Sequence, residues 1–253
     1  MVKELILENE SVKVLFNLVE LLRQKLMPAD GSAQMGLIYI GGVLLCVAVP
    51  YLLGSLNPAV AVARFRYRED IRAAGHGDAG TQEMLHAYGK GAAVLTACLN
   101  ALKAVLACLF GMLIWEMNGL ALAGLFVLLG DMFPCFNRFR GGKGAEVLAG
   151  AILSVSVFTT GVPVTFLILA AIFLIVAIGT RYLSLGVIMT GVFYPLILRS
   201  FSGADAGLCV ATAVLTTLFV VARHWDNMKR IWNRKEPQLR MPWSRKRDGE
   251  DGK

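Results

Sequence analysis

The sequence is 253 residues long, 56% of its residues are hydrophobic, and its formal net charge is +7. The apolar residues form blocks long enough to cross a ~30 Å hydrocarbon core, which excludes an ordinary soluble domain. The positive charge does not indicate a nucleic-acid-binding protein, because the basic residues lack interleaved stacking aromatics. The five cysteines lie inside apolar blocks without metal-ligand spacing, so we expect them to be buried packing residues.

The chain begins with a segment of mixed charge, residues 1–34, in which apolar residues recur near helical spacing. This pattern is typical of an amphipathic surface helix and not of a cleavable leader. The same apolar face could equally pack against the rest of the protein, and the sequence leaves both alternatives open.

Apolar blocks follow and predict an all-α bundle of about seven transmembrane helices. The blocks cover residues 35–63, 91–115, 119–136, 145–160, 162–179, 183–200 and 206–222. Block 145–160 is the weakest and is short enough to be re-entrant. We therefore divide the chain into an amphipathic segment (1–34), a membrane domain (35–234) and a basic, flexible tail (235–253).

Lysine and arginine are concentrated in every second connection. Loops 64–90 and 137–143 and the segment after 222 are basic, whereas loops 116–118 and 201–205 contain no basic residue. Because cytoplasmic loops carry the excess of Lys and Arg, this asymmetry places the C-terminus in the cytoplasm and the N-terminus outside. The surplus charge is therefore a topology signal first and an attraction to anionic lipid second.

Two polar segments come before the third apolar block. The break Gly54-Ser55-Leu56-Asn57-Pro58 predicts either a helix kink or a widened helix beside a site. The glycine-rich segment 70–81 predicts a loop whose backbone approaches another group closely. Its histidines and acids match no known metal-ligand pattern, and we expect neither a metal nor another cofactor.

The segment Arg138–Gly144 carries the strongest chemical signal, because it places Lys143 among glycines at the start of a helix. Backbone N–H groups and the positive end of the helix dipole suit a phosphate there. The segment is not a Walker loop, since Asn137 and Gly144 stand where that motif needs Gly and Ser or Thr. Asp131, late in the preceding block, needs a function or an interhelical partner, and Lys103 is the expected partner of such an acid.

A polar cluster follows the last apolar block. His224, Asn227 and Arg230 share one helical face and could reach a site together. The alternative is an ordinary basic flank of a membrane span.

Taken in order, these motifs resemble the bacterial membrane glycerol-3-phosphate acyltransferases that use acyl phosphate as donor. The resemblance covers roughly residues 40–240. It rests on Gly-Ser-x-x-Pro (54–58), Asp-Ile-Arg-x-x-Gly-x-Gly (70–77), Phe-Pro-x-Phe-x-x-Phe-x-Gly-Gly-Lys-Gly (133–144), Thr-Arg-Tyr-x-Ser-Leu (180–185) and His-x-x-Asn-x-x-Arg (224–230).

The resemblance implies a multi-pass protein of the bacterial cell membrane that acylates glycerol 3-phosphate to lysophosphatidic acid, a step of phospholipid synthesis. Its implied partners are acyl phosphate, glycerol 3-phosphate and membrane lipids, without nucleic acid, and the oligomeric state stays open. The implied catalytic residues are Lys143, Ser184 and His224. The implied substrate-binding residues are Ser55, Arg72, Gly75, Gly77, Gly80, Gly141, Gly142, Gly144, Asn227 and Arg230.

The sequence departs from the family pattern at a group of positions near the implied substrate. The altered positions are His76, Asp78, Gln82, Glu83, His86 and Asp131. Asp78 and Glu83 add negative charge where an anion should dock, and His86 removes an arginine that would clamp phosphate. The alternative function is therefore a catalytically altered relative, acting on another acceptor or as a non-catalytic lipid-binding or regulatory membrane protein.

The charge asymmetry makes a direct prediction about topology. Reporter domains fused after residues 118 and 203 should lie outside the cell, and reporters fused after residues 85 and 240 should lie in the cytoplasm. Protease accessibility in intact cells measures each position. A tail reporter found outside would overturn the predicted orientation.

Overall fold

A computed structural model describes residues 33–71, 80–139, 141–203 and 206–238, and within these ranges the chain is helical without β-strands. The predicted N-terminal helix lies almost entirely outside the described residues, as does the tail after residue 238. The helices are α1 (Ala33–Ser55), α2 (Pro58–Val62), α3 (Thr81–Tyr88), α4 (Lys90–Met132), α5 (Ala145–Thr160), α6 (Val164–Thr180), α7 (Leu183–Phe201), α8 (Gly207–Arg223) and α9 (Trp225–Trp232).

Helix α4 is a hairpin of two antiparallel arms. Trp115 and Glu116 have non-helical backbone angles, with φ values of −144° and 47°. Across this turn a Cβ atom on Gly111 would lie 2.2 Å from the carbonyl oxygen of Gly119, so the two arms touch through their backbones. The arms correspond to the predicted apolar blocks 91–115 and 119–136.

By length and composition, two helical segments of the described chain can cross a membrane, Lys90–Asn137 and Leu183–Phe201, and the number rises to four if each bent helix pair counts as one span. The bent pairs are α1 with α2 and its extension, at 43°, and α8 with α9, at 52°. Helices α5 and α6 are apolar but only 16 and 17 residues long. The all-helical class is thus confirmed, whereas seven membrane crossings remain a prediction.

Helix α4 is the centre of the bundle. Helices α1, α5 and α8 pack against it, α7 packs on α8, and α6 packs on α7. Large apolar side chains also cover the outside of the bundle; Val94 is 62% exposed and Ile175 is 72% exposed. Helices that are apolar on both their inner and outer faces are typical of a membrane bundle.

Helix α1 crosses the second arm of α4 at very short range. A Cβ atom on Gly54 would lie 2.2 Å from the carbonyl oxygen of Val127, and one on Gly130 would lie 2.1 Å from that of Tyr51. Just beyond this crossing α1 ends at Ser55, and the side chain of Asn57 caps α2 by accepting hydrogen bonds from two backbone N–H groups. The predicted break at residues 54–58 is therefore confirmed.

A buried ion pair joins the two arms of α4 beside this crossing. Lys103 Nζ lies 2.6 Å from Asp131 Oδ1 and also donates to the carbonyl oxygens of Gly54 and Leu56, at 3.0 and 2.9 Å. The Lys103 and Asp131 side chains are only 11% and 13% exposed. The prediction that Lys103 pairs with an acid is confirmed. Its ammonium also holds the carbonyls that the end of α1 leaves without helical partners.

Replacing one partner of this pair should destabilise the bundle strongly. Lys103→Met leaves the Asp131 carboxylate buried without its cation, which costs about 3–5 kcal/mol in comparable buried pairs. The double variant Lys103→Met/Asp131→Leu removes both charges and should recover most of that loss. Thermal unfolding of the purified protein in detergent measures both.

The matched control is Lys229→Met, which breaks the exposed Asp226–Lys229 pair and should change stability by less than about 1 kcal/mol. If Lys103→Met were no more destabilising than this control, the buried pair would have no special weight in the fold.

Candidate functional site

One end of the bundle contains a cavity of about 750 Å³. Its wall has two chemically distinct parts. The polar part includes Lys143, Ser184, Arg223, His224, Asn227 and Arg230. The apolar part includes Leu148, Ile152, Phe166, Leu169, Phe173 and Val187. The predicted catalytic residues Lys143, Ser184 and His224, which come from three separate segments, therefore line one space.

The segment from Gly141 to Gly144, here called the lysine loop, is the last part of the connection from α4 to α5. A Cβ atom on Gly141 would lie 2.1 Å from the carbonyl oxygen of Asp131, so only glycine fits there. Gly144 has a φ of 74° and is the N-cap of α5. The N–H of Gly142 donates to the Asp131 carbonyl at 3.1 Å. That predicted phosphate-binding N–H is thus already bonded within the protein.

Arg223, the last residue of α8, holds the same loop from the other side. Its Nε donates to the carbonyl oxygen of Gly142 at 3.1 Å, and its Nη2 donates to that of Gly141 at 2.6 Å. The loop is therefore fixed between the end of α4 and the end of α8. In the sequence, Arg223 stands only as part of a basic flank, and no local pattern predicts this contact.

His224 follows α8 and is only 2% exposed. Its Nδ1 lies 2.9 Å from the carbonyl oxygen of Val220. Because a carbonyl can only accept, Nδ1 carries the hydrogen and Nε2 is left as an acceptor in the neutral ring.

The surroundings of His224 favour that neutral ring. Burial has the largest effect and lowers the pKa of His224, whereas the hydrogen bond to the Val220 carbonyl raises it by less. The nearby charges of Lys143 and Arg223 lower the pKa further, and the Glu236 carboxylate raises it slightly. The imidazole is therefore uncharged near neutral pH.

Ser184, Asn227 and Arg230 meet at the carboxylate of Glu236, a residue outside the sequence motifs. Glu236 Oε1 accepts from Ser184 Oγ at 2.6 Å and from Asn227 Nδ2 at 2.7 Å, while Oε2 accepts from Arg230 Nε at 2.9 Å. Asn227 Nδ2 also lies 2.5 Å from Ser184 Oγ, and Arg230 Nη2 donates to Asn227 Oδ1 at 3.0 Å. The network fixes the orientation of the Asn227 amide, because its oxygen faces a guanidinium and its nitrogen faces a carboxylate.

The Glu236 side chain is only 7% exposed, although it belongs to the segment assigned to the tail. Burial by itself would raise the pKa of the Glu236 carboxyl, but the hydrogen bonds from Ser184, Arg230 and Asn227 outweigh it and lower the pKa. Glu236 therefore neutralises Arg230 inside the site. An acid in a basic segment was the only sequence signal for it.

The other implied residues divide into three groups. The cavity wall includes three residues at the start of α3, Gly80, Gln82 and Glu83. It also includes Asp131 of α4, which is paired with Lys103. Ser55 is buried outside the cavity wall, donating to the Tyr51 carbonyl and accepting from the Cys135 N–H, and His86 is exposed outside it. Arg72, Gly75, His76, Gly77 and Asp78 lie outside the described residues.

In the part of the chain that the structure describes, no three His, Cys, Asp or Glu side chains lie close enough together to hold a metal ion. The cavity wall combines cationic groups, an uncharged histidine, an apolar surface and the acids Glu83, Asp131, Glu146 and Asp226. The cations and the apolar surface together suit a substrate that carries both an anionic group and a hydrocarbon chain.

Comparisons with known proteins agree with this chemistry. The family model described as glycerol-3-phosphate acyltransferase matches residues 44–234. A glycerol-3-phosphate acyltransferase of Geobacillus kaustophilus is 34% identical over 201 residues, which are 79% of this chain and 98% of that protein. A protein of the same name from Bacillus subtilis is 31% identical over 198 residues, covering 78% of this chain and 98% of the relative.

The fold also resembles a solved structure. The crystal structure of PlsY, an integral membrane glycerol 3-phosphate acyltransferase in its glycerol 3-phosphate form, has a TM-score of 0.68 and 27% identity, covering 78% of this chain and 95% of that one. The family resemblance drawn from the motifs is confirmed, as is a membrane location. Since the family model matches most of the chain and relatives at 31–34% identity are matched over nearly their whole length, this protein belongs to the glycerol-3-phosphate acyltransferase family.

Proposed function

We propose that this protein transfers an acyl group from acyl phosphate to the 1-hydroxyl of glycerol 3-phosphate, forming lysophosphatidic acid. The observation that carries the proposal is the convergence of Lys143, Ser184, His224 and Asn227 on one cavity with an apolar wall. The names of the relatives support the acceptor, and solved PlsY structures are described as glycerol 3-phosphate and lysophosphatidic acid forms.

The cationic part of the cavity is the proposed place of phosphate. Lys143 and Arg223 both line the wall there, and α5 begins directly after the lysine loop. A lysine about 4 Å from a phosphate oxygen contributes roughly 4 kcal/mol at the effective dielectric constant of a protein surface. Arg230 contributes less, because Glu236 already neutralises its charge.

The apolar part is the proposed place of the acyl chain. Phe166, Leu169 and Phe173 of α6 face the cavity, and Val187 of α7 continues this surface beside Ser184. A chain lying on these residues has its carbonyl at the boundary with the polar wall. This position brings the scissile bond of acyl phosphate close to Lys143 and His224.

Acyl phosphate contains a good leaving group, so the reaction depends on positioning and charge stabilisation more than on a strong base. The acceptor hydroxyl oxygen forms a bond to the acyl carbon, and the bond from that carbon to the phosphate oxygen breaks. Nε2 of neutral His224 accepts the hydroxyl proton, which can then pass to the released phosphate. Lys143 stabilises the negative charge that develops on the leaving phosphate.

The acidic departures from the family pattern carry different weights in this proposal. Asp131 is paired with Lys103, so its carboxylate adds little repulsion. Glu83 lines the cavity at the start of α3 and makes that end unfavourable for an anion. The proposal therefore places the phosphate of each substrate toward Lys143 and away from Glu83.

We further propose that the bundle crosses the membrane seven times, counting each arm of α4 as one crossing. The cavity then faces the cytoplasm, because the lysine loop and the C-terminal ends of α6 and α8 lie on the basic side of the chain. Acyl phosphate and glycerol 3-phosphate reach the site from that side.

The proposal predicts that purified protein converts acyl phosphate and glycerol 3-phosphate to lysophosphatidic acid and inorganic phosphate in equal amounts. Lys143→Ala should lower kcat/KM about 10²–10³-fold, because a charge contact of several kcal/mol is lost. Product formation measured by mass spectrometry tests both statements.

The control is Lys90→Ala, which removes an exposed lysine at the start of α4 and should leave kcat/KM unchanged. A folded Lys143→Ala protein with wild-type turnover would remove the lysine loop from the mechanism. Absence of lysophosphatidic acid with the unaltered protein would contradict the proposed reaction itself.

A further inference from the structure

We propose that Arg223 is a positioning residue that holds the lysine loop in its active conformation and at a fixed position relative to His224. This inference rests on the proposed function of the loop, but it assigns a role to a residue that the family motifs did not single out. It is carried by the two hydrogen bonds of the Arg223 guanidinium to successive carbonyls of the loop.

The contact uses the geometry that distinguishes arginine from lysine. Nε and Nη2 point in fixed, nearly parallel directions from one planar group and can bond two neighbouring acceptors at once. Here they reach the oxygens of Gly142 and Gly141 at 3.1 and 2.6 Å. A lysine ammonium at this place would keep the charge but could not reproduce the fork.

The fork fixes two successive peptide planes. In a trans peptide the C=O and the N–H of the next residue point in opposite directions. Because the carbonyls of Gly141 and Gly142 face Arg223, the N–H groups of Gly142 and Lys143 point away from it. The first of these N–H groups is held by the Asp131 carbonyl on the far side of the loop. Arg223 and the end of α4 thus fix the backbone from which the Lys143 side chain starts.

The same contact links the loop to the histidine. Lys143 and His224 are 81 positions apart in the sequence, and the Arg223 contact joins the loop that contains Lys143 to the end of α8, one residue before His224. If the contact is lost, the loop can move relative to α8, and the distance between the phosphate-binding lysine and the proton acceptor is no longer defined.

Arg223 also acts on the charge state of the histidine. The charged groups that influence His224 are Lys143 in the loop, Arg223 on α8 and Glu236 after α9. Removing the positive charge of Arg223 should raise the pKa of His224 toward its ordinary value. Because the reaction needs the neutral ring, the acidic limb of the pH–rate profile should then move to higher pH.

Two substitutions separate these effects. Arg223→Lys keeps the charge and loses the fork, so kcat/KM should fall at least about tenfold while the acidic limb stays in place. Arg223→Gln loses both the charge and the paired hydrogen bonds. Its kcat/KM should therefore fall by the same factor, and the acidic limb of its pH–rate profile should move to higher pH. A residue that only stabilised the fold would lower the amount of active protein without moving the limb.

The controls are Arg199→Lys and Arg199→Gln, made at an exposed arginine in the last turn of α7, and both should retain the wild-type profile. Unfolding midpoints confirm that the variants compared are folded. In Arg223→Ala, added methylguanidinium should restore part of the lost kcat/KM, whereas methylammonium should not. If Arg223→Gln does not fold, the positioning role is tested by kcat/KM of Arg223→Lys and by the methylguanidinium rescue of Arg223→Ala.

Wild-type kcat/KM in folded Arg223→Lys, while Lys143→Ala is inactive, would overturn the positioning role and leave the proposed function intact. An unmoved acidic limb in folded Arg223→Gln would overturn the electrostatic part. Full activity of Lys143→Ala would instead count against the proposed function, whatever Arg223 does.

Discussion

The cost of placing charged groups in an apolar bundle governs this structure. Three cations at or beside the cavity are each matched by an opposite charge or by oriented carbonyl groups. Lys103 has Asp131 and two carbonyls, Arg223 has two carbonyls of the lysine loop, and Arg230 has Glu236. Since a buried charge without such partners costs several kcal/mol, these contacts allow the charged groups to lie inside an apolar bundle.

The same contacts organise the bundle around one end. Lys103 and Asp131 join the two arms of α4, and the Lys103 ammonium adds the end of α1 to them. The lysine loop leaves this junction and is held on its other side by Arg223 of α8. The polar wall of the cavity draws on the lysine loop, the end of α8 and α9, with Ser184 of α7, and most of its apolar wall comes from α5, α6 and α7. This division matches a substrate with a charged head and a hydrocarbon chain.

Much of the site could be predicted from the sequence because its signals are local. The apolar blocks indicate membrane helices, glycines around Lys143 indicate a close approach of the backbone, and the spacing of His224 and Asn227 places both on one helical face. Even the partner of Lys103 was expected, since an acid in an apolar block needs a cation. Ser55 shows the limit of this reasoning: a serine in a family motif was expected at the substrate, and the fold buries it against the Tyr51 carbonyl.

The sequence by itself determined the class of the protein, its family and the segments that carry its polar groups, because composition, periodicity and motif order are properties of neighbouring residues. Only the tertiary structure decided which of those groups are already bonded. Glu236 reaches Ser184 across 52 positions, and Arg223 reaches the lysine loop across more than 80. Contacts over such separations depend on how helices cross, and a close crossing such as that of Gly54 with Val127 depends on the whole bundle. No local sequence pattern predicts such contacts. For this reason the roles of Arg223, in the basic flank, and Glu236, in the tail, could not be predicted from the sequence.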